Sequence, residues 1–217
     1  MPSPDEATRT YVEVGHERQR TAEPLSGTVT FLFTDIEGST RLWEEHPQAM
    51  SQALARHDTI LAGAVQSSRG QVVKTTGDGL FAVFGRAESA ITAALAAQRL
   101  LVGAAWDPTC ELRVRMGLHT GDAEFRDGDY HGSAVNRAAR LTSAGHGGQV
   151  LVSDATASLL AGRLPEGAEL IGLGEHRLRA LGRPEVLYQL CPPDLPRRVP
   201  PLRTLDAFPG NLPLQVS

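Results

Sequence analysis

Lysine is almost missing from this chain. Of its 21 basic residues, 20 are arginine and one is lysine, Lys74. A codon bias toward arginine explains the excess, but the two side chains differ in shape and donor geometry, and a retained lysine points to a role that arginine cannot fill. Cysteine is nearly as scarce: Cys110 and Cys191 lie far apart with no metal-ligand spacing, which excludes a disulfide framework and a zinc site and fits a reducing cytoplasm. Aromatic residues make up only 5%. No stretch approaches the roughly 18 unbroken apolar residues of a membrane span, and the polar start MPSPDEATRTYVEVGHERQR lacks the apolar segment of a signal peptide. Positive charge is not in excess either. With a net charge of -4 and a pI near 6.0, there is no general electrostatic basis for holding nucleic acid or an anionic membrane, so any polyphosphate must be bound by a local site.

What remains is an ordinary globular composition, 41% hydrophobic and 21% charged over 217 residues, enough for one sizeable core. Residues 1–26 are polar and read as a flexible arm, and residues 192–217, which hold seven of the 14 prolines, as a linker or extended tail. Between them the domain spans 27–191. TVTFLF, from Thr28, is β-branched and aromatic and reads as a central buried strand. It runs into TDIEGST, where Gly38, Ser39 and Thr40 offer helix-start chemistry, and then into RLWEEHPQAMSQALARHDTILAGAVQ, apolar at helical spacing. GQVVKTTGDGLFAVF joins two short apolar runs through Gly77-Asp78-Gly79, a hairpin signal. A helix follows from Arg86 to Gly103, then a strand from Glu111. The order β-α-β-β-α-β predicts an α+β fold, a ferredoxin-like split βαββαβ core whose antiparallel sheet carries both helices on one face. A further helix SAVNRAARLTSAG, the strand QVLVS, a short helix ATASLLAG and a closing pair of strands complete it.

In that fold Asp35, just past the first strand, and Asp78, at the hairpin turn, fall at the same edge of adjacent strands. Close carboxylates repel unless a cation neutralises them, and a hard ion such as magnesium or manganese suits them. A helix start beside them favours phosphate. Taken singly, such an Asp78 is more often turn chemistry and such an Asp35 more often a cap. Downstream, Asn136 and Arg140 are one turn apart on a helix, with Asp129 on its approach, so carboxylate, carboxamide and guanidinium can line one pocket. On an alanine-rich helix such residues are also common as solvated surface.

FTDIEGST, KTTGDGLFAVF, RVRMGLHTGD and DYHGSAVNRAARL resemble, in order and spacing, the class III adenylyl and guanylyl cyclase domains, over roughly residues 27–191. The resemblance implies a cyclase homology domain of the short-armed bacterial type. By it, Asp35 and Asp78, with the Ile36 carbonyl, hold two Mg2+ or Mn2+ per active site. Lys74 and Asp129 select the base, and Asn136 and Arg140 serve the transition state. Arg115 contacts the triphosphate near Gly38, Ser39 and Thr40, supplemented by Arg177, Arg179 or Arg183. A lysine donor facing adenine N1 and an aspartate acceptor facing its 6-amino group imply ATP, attacked in line by its own 3′-hydroxyl to give cyclic AMP and pyrophosphate. The metal residues and the transition-state residues of one site come from different subunits in this family, which implies a homodimer with shared sites. The competing readings are a guanylate cyclase, a weakly active or silent cyclase-fold module for nucleotide sensing or dimerisation, and a polymerase-like palm making cyclic dinucleotides. LRTLDAFPGNLPLQVS also resembles the junction into the NTPase portion of larger regulators, which implies C-terminal regulatory domains in longer relatives.

Overall fold

The computed structural model describes residues 23–195 and 200–205. Their elements run β1 (Thr28–Ile36), α1 (Ser39–Glu45), α2 (Pro47–Ser67), β2 (Gln71–Thr75), β3 (Leu80–Phe84), α3 (Ala87–Val102), β4 (Val114–Asp122), β5 (Glu124–Arg126), β6 (Asp129–His131), α4 (Ser133–Ala144), β7 (Val150–Ser153), α5 (Asp154–Leu159), β8 (Glu169–His176) and β9 (Glu185–Cys191). Seven strands form one sheet in the order β2-β3-β1-β4-β7-β9-β8. The first four are antiparallel neighbours and make the expected split βαββαβ core; β7 joins β4 in parallel, and β9 and β8 extend the sheet. Among the described residues no helix is long and apolar enough to cross a membrane.

Strand alternation divides the core. Leu32, Leu80, Ala82, Phe84, Met116 and Leu118 meet α2 and α3 on one face, as expected of the two crossover helices. Val29, Phe31, Phe81 and Val83 turn to the other face, against Ala134 and Ala138 of α4. That contact is close because Gly117 of β4 has no side chain. A Cβ there would lie 2.5 Å from Thr142 Oγ1, 2.6 Å from the Thr142 nitrogen and 3.0 Å from the Ala138 oxygen, so helix backbone rests on strand backbone.

Two elements differ from the sequence reading. The helical periodicity after Ser39 continues without a break, yet the chain forms two helices, because Pro47 cannot donate to the preceding turn and its ring crowds it. Proline instead opens α2 at its first position, where no donor is needed. The β5–β6 hairpin was not anticipated. Its strands are three residues each, too short to show alternation, and its turn holds Asp127 and Gly128 in the left-handed region (φ 53° and 82°). Most of the expected N-terminal arm, residues 1–22, lies outside the described residues, as do 196–199 and 206–217 of the tail. Residues 23–26 run along the body: Tyr130 donates to the Leu25 carbonyl at 2.9 Å and Gln71 to that of Glu23 at 3.0 Å.

A chain of buried hydroxyls links the sheet to α5. Thr30 meets Thr120 (2.8 Å), Thr120 meets Thr156 (3.0 Å), Thr156 meets Ser153 (3.2 Å), and Ser153 meets His119 Nδ1 (2.8 Å). Burial, with the nearby Arg137 charge, pushes the His119 pKa down to about 4.

Two outcomes follow for stability. Gly117→Ala should lower the unfolding free energy by about 1–3 kcal/mol in urea titrations, as overpacking does, since both neighbouring atoms at 2.5–2.6 Å belong to one turn of α4. In the folded protein His119 stays neutral well below the ordinary histidine pKa, while in the unfolded chain it protonates near 6.5. Its contribution is therefore whole above pH 6.5 and is lost as pH falls toward 4, and His119→Gln should flatten the pH dependence of the urea midpoint in that window.

Candidate active site

The charged residues gather where β1 ends. Asp35 is the next-to-last residue of β1 and stands opposite Arg115 of β4 in the register. Arg115 donates to the Asp35 carboxylate at 3.0 Å and to the Ser143 carbonyl at 3.4 Å, and its Nε is buried with no acceptor among the described residues. The β2–β3 turn comes against the same place. Gly79 permits this: a Cβ on it would sit 2.1 Å from the Thr34 carbonyl oxygen, and the Leu80 N–H is accepted by Thr34 Oγ1 at 2.9 Å. Asp78, just before Gly79, is thereby held in a turn that packs against Thr34, the residue before Asp35. Close enough to feel Asp78 is His57 of α2, fully buried and bonded through Nδ1 to Asp58 at 2.9 Å. Burial lowers the His57 pKa, against the upward pull of Asp58 and Asp78.

The candidate donors at this edge are the Asp35 and Asp78 carboxylates and the Ile36 carbonyl. Among the described residues no cluster of three or more His, Cys, Asp or Glu side chains exists that would cage an ion unaided. That is the donor set of magnesium-type ions, which are held by one or two carboxylates and complete their shell with water and substrate phosphate. The residues fit such an ion. Beside them Gly38 caps α1 in the left-handed conformation (φ 73°) with no side-chain bond to the helix start, leaving the N–H groups of Ser39, Thr40 and Arg41 uncapped by a side chain.

Lys74 and Asp129 meet. A β-bulge between Val72 and Lys74 shifts the register, so that Val72 packs with α2 and α3 while Lys74 stands opposite Phe81, whose ring faces away from those helices. There the ammonium donates to Asp129 Oδ2 and sits 5.9 Å from the centre of the Phe81 ring. Phe81 stacks on Phe33 at 4.3 Å, and buried Phe31 and Tyr130 and exposed Phe125 continue the aromatic cluster. The β5–β6 hairpin delivers Asp129 from the other side. Desolvation raises the Asp129 pKa, but the bonds from Lys74 and the Tyr130 N–H outweigh it and hold the carboxyl below its usual range.

Asn136 and Arg140 lie one turn apart on α4 and are exposed, while Ala134, Ala138, Leu141 and Ala144 bury the opposite stripe. No hydrogen bond or ion pair joins either to Asp35 or Asp78 among the described residues. Arg140 instead lines a cavity of about 160 Å³ with Ser143, Ala144, Leu178, Arg179 and Arg203. Of the three supplementary arginines only Arg179 lines that cavity; Arg177 and Arg183 do not. Two residues of the region escaped the sequence reading. Glu37 stands inside the FTDIEGST string but was given no role, and Arg203 lies in what read as tail. The two are ion-paired, and His146 Nδ1 lies 3.7 Å from the same Glu37 carboxylate.

The family model of the adenylate and guanylate cyclase catalytic domain matches residues 22–191. An uncharacterised protein of Mycobacterium tuberculosis is 44% identical over 191 residues, covering 87% of this chain and 65% of that protein, so the chain spans less than two thirds of that relative. The adenylate cyclase of Neurospora crassa is 30% identical over 225 residues, covering 78% of this chain and 10% of that protein. Among solved structures, an adenylate cyclase of Trypanosoma brucei in its monomeric state superposes with a TM-score of 0.74 at 28% identity, over 85% of this chain and 96% of that one. An adenylate/guanylate cyclase/hydrolase from Silicibacter pomeroyi superposes with a TM-score of 0.65 at 30% identity, over 76% and 96%.

The Lys74–Asp129 pair is half exposed (48% and 27% for the side chains), so water screens it. A double-mutant cycle with Lys74→Ala and Asp129→Ala should give a coupling of only about 0.2–1 kcal/mol in thermal unfolding. A coupling of several kcal/mol would assign the pair to stability rather than to recognition.

Proposed function

The chain belongs to the adenylate and guanylate cyclase catalytic domain family, and on that premise we propose that it is an adenylate cyclase, converting ATP to 3′,5′-cyclic AMP and pyrophosphate. The observation that carries the choice of ATP is the meeting of Lys74 and Asp129 on the aromatic face. Adenine offers an acceptor at N1 and a donor at its 6-amino group, which an ammonium and a carboxylate satisfy together; guanine, with a donor at N1 and a 6-oxo acceptor, meets the wrong partner twice. A buried polar edge left with a mismatched partner is costly, which gives such a pair its discrimination. Half-buried Phe33, backed by the fully buried ring of Phe81, supplies an apolar surface for a base.

Asp35, Asp78 and the Ile36 carbonyl would hold two Mg2+ or Mn2+, which when bound supply charge neutralisation for the triphosphate and acidify the ribose 3′-hydroxyl. The protein's own groups do the rest. Gly38, Ser39 and Thr40 present N–H groups to phosphate oxygens, and Arg115, with an unsatisfied Nε beside Asp35, adds a guanidinium at the same edge. Asn136 holds the ribose so that its 3′-oxygen stands in line with the α-phosphorus and the departing pyrophosphate, and Arg140 offsets charge growing on the α-phosphoryl oxygens. No covalent intermediate on the protein is needed.

Among the described residues no hydrogen bond or ion pair joins Asn136 or Arg140 to Asp35 or Asp78 of the same chain, and on the proposed reading both sets serve one phosphate. This supports a symmetric homodimer in which each site takes its metal residues from one subunit and its base and transition-state residues from the other. The scarcity of cysteine, with Cys110 and Cys191 both unpaired, fits a cytoplasmic location. Further domains in longer relatives and their regulatory inputs belong to the same proposal.

Incubated with ATP or GTP and Mn2+ or Mg2+, the protein should form cyclic AMP in preference to cyclic GMP, and Asp78→Ala should abolish it. Lys74→Glu with Asp129→Gly should erode the preference for ATP. Asp78→Ala and Arg140→Ala, each inactive alone, should recover activity when mixed, since a mixed dimer holds one intact site. No recovery despite subunit exchange would overturn the shared-site arrangement, and unchanged ATP preference in the Lys74/Asp129 variant would overturn the base assignment.

A further inference from the structure

The segment 200–205 lies beyond the residues matched by the family model, yet it is built into the body beside the active-site edge. Leu202 is 6% exposed and packs with Leu141, Leu151, Leu178 and Leu187. Backbone bonds fix the residues around it: the Arg203 N–H donates to the Ala144 carbonyl at 2.9 Å and the Leu205 N–H to that of Arg177 at 3.2 Å, while His146 Nε2 lies 2.9 Å from the Pro201 oxygen. The Ala144 carbonyl is at the C-terminal end of α4, where carbonyls lack intrahelical partners, so this strap supplies a donor that the helix needs.

Docking of the strap sets where Arg203 stands. On one side its guanidinium donates to Glu37, two residues after Asp35. On the other it lines the cavity of about 160 Å³ with Arg140 and Arg179. Neither Arg140 nor Arg179 has an ion pair or hydrogen bond to a described residue, and no acidic side chain lines the cavity. Three guanidiniums around one small space repel one another unless a multiply charged anion joins them. The volume is below the ~300–1,000 Å³ of whole small-molecule pockets and suits a phosphate chain rather than a nucleoside. A guanidinium has five donors, so Arg203 can keep Glu37 and still offer N–H groups to phosphate oxygens.

We propose that Arg203 is a polyphosphate-binding residue, held in place by the strap, and that Arg140, Arg179 and Arg203 together take the anionic phosphate chain of substrate or product. This rests on the reading of Arg140 as a phosphate-facing group, and it extends the binding unit past the matched domain to a residue that the family match does not contain. Through Glu37 the same side chain also steadies the loop that follows Asp35 and Ile36.

The probe is inorganic tripolyphosphate, titrated calorimetrically into the whole chain without nucleotide, so that base recognition and turnover play no part. Wild type should bind it, Arg203→Gln should weaken binding about tenfold, and Arg203→Lys should recover part of the loss, as expected for removal of a charge-assisted contact. Leu202→Ala, which loosens the strap while leaving the guanidinium, should weaken binding in the same direction. Arg86→Gln, at the start of α3, should leave it unchanged. Equal affinity in Arg203→Gln and wild type would overturn the proposal, as would an absence of binding to wild type at millimolar probe. So would a loss in Arg203→Gln that Arg203→Lys does not restore and that tracks a fall in unfolding temperature, since that marks a structural role. Cyclic AMP formation, measured separately, distinguishes the two claims: Arg203-dependent tripolyphosphate binding without cyclisation removes the cyclase reading and keeps the anion site, and cyclisation with Arg203-independent binding does the reverse.

Discussion

Backbone contact without an intervening side chain sets the geometry of this protein. At Gly117 the sheet accepts α4 directly, and at Gly79 the β2–β3 turn is pressed against the Thr34 carbonyl. The first contact fixes the height of Asn136 and Arg140 above the sheet, and the second fixes the turn that carries Asp78. Neither is replaceable by a more favourable side-chain packing, because both gaps are narrower than a methyl group. The charged residues are carried on the ends of rigid elements, and the positions of those ends follow from two missing Cβ atoms.

Electrostatics then acts on that frame. Arg115 sits against Asp35, Lys74 against Asp129 and Arg203 against Glu37, so three of the acids at or near this edge each have a cation from a distant part of the chain. Lys74–Asp129 and Arg203–Glu37 are partly exposed and contribute little to stability, whereas Arg115 is largely buried beside Asp35. Their common property is that an anionic ligand with its own counter-ions can displace or share either member. On the proposed reading, a nucleotide triphosphate exchanges partners with these three pairs, while Arg140 and Arg179, which have no ion pair to a described residue, offer it charge not yet compensated.

Much of this was legible from the chain. TVTFLF, the Gly77-Asp78-Gly79 turn and the alanine-rich helix after Arg86 carry strong local signals, and they place the split βαββαβ core, with Asp35 near the end of β1 and Asp78 in the turn between β2 and β3. The single lysine pointed to Lys74. What the sequence could not carry was geometry that breaks its own periodicity. The bulge at Val72–Lys74 puts Lys74 on the aromatic face, where strict alternation places it on the opposite one. Pro47 interrupts a helical pattern that continues on both sides of it. The β5–β6 hairpin is too short for any period, and the docking of Leu202 depends on a leucine-lined groove assembled from α4, β7 and β9 and the segment after β8, which no local reading of a proline-rich tail contains.

The Lys74–Asp129 contact constrains how such a protein can change. Replacing Lys74 alone by an acid sets two carboxylates against each other beside an apolar ring stack, and replacing Asp129 alone leaves an ammonium without its counter-charge. On the proposed reading, an ancestor moving between adenine and guanine would pass through a form that recognises neither base well, so substrate identity in this lineage is protected by a valley between two compatible pairs rather than by either residue alone.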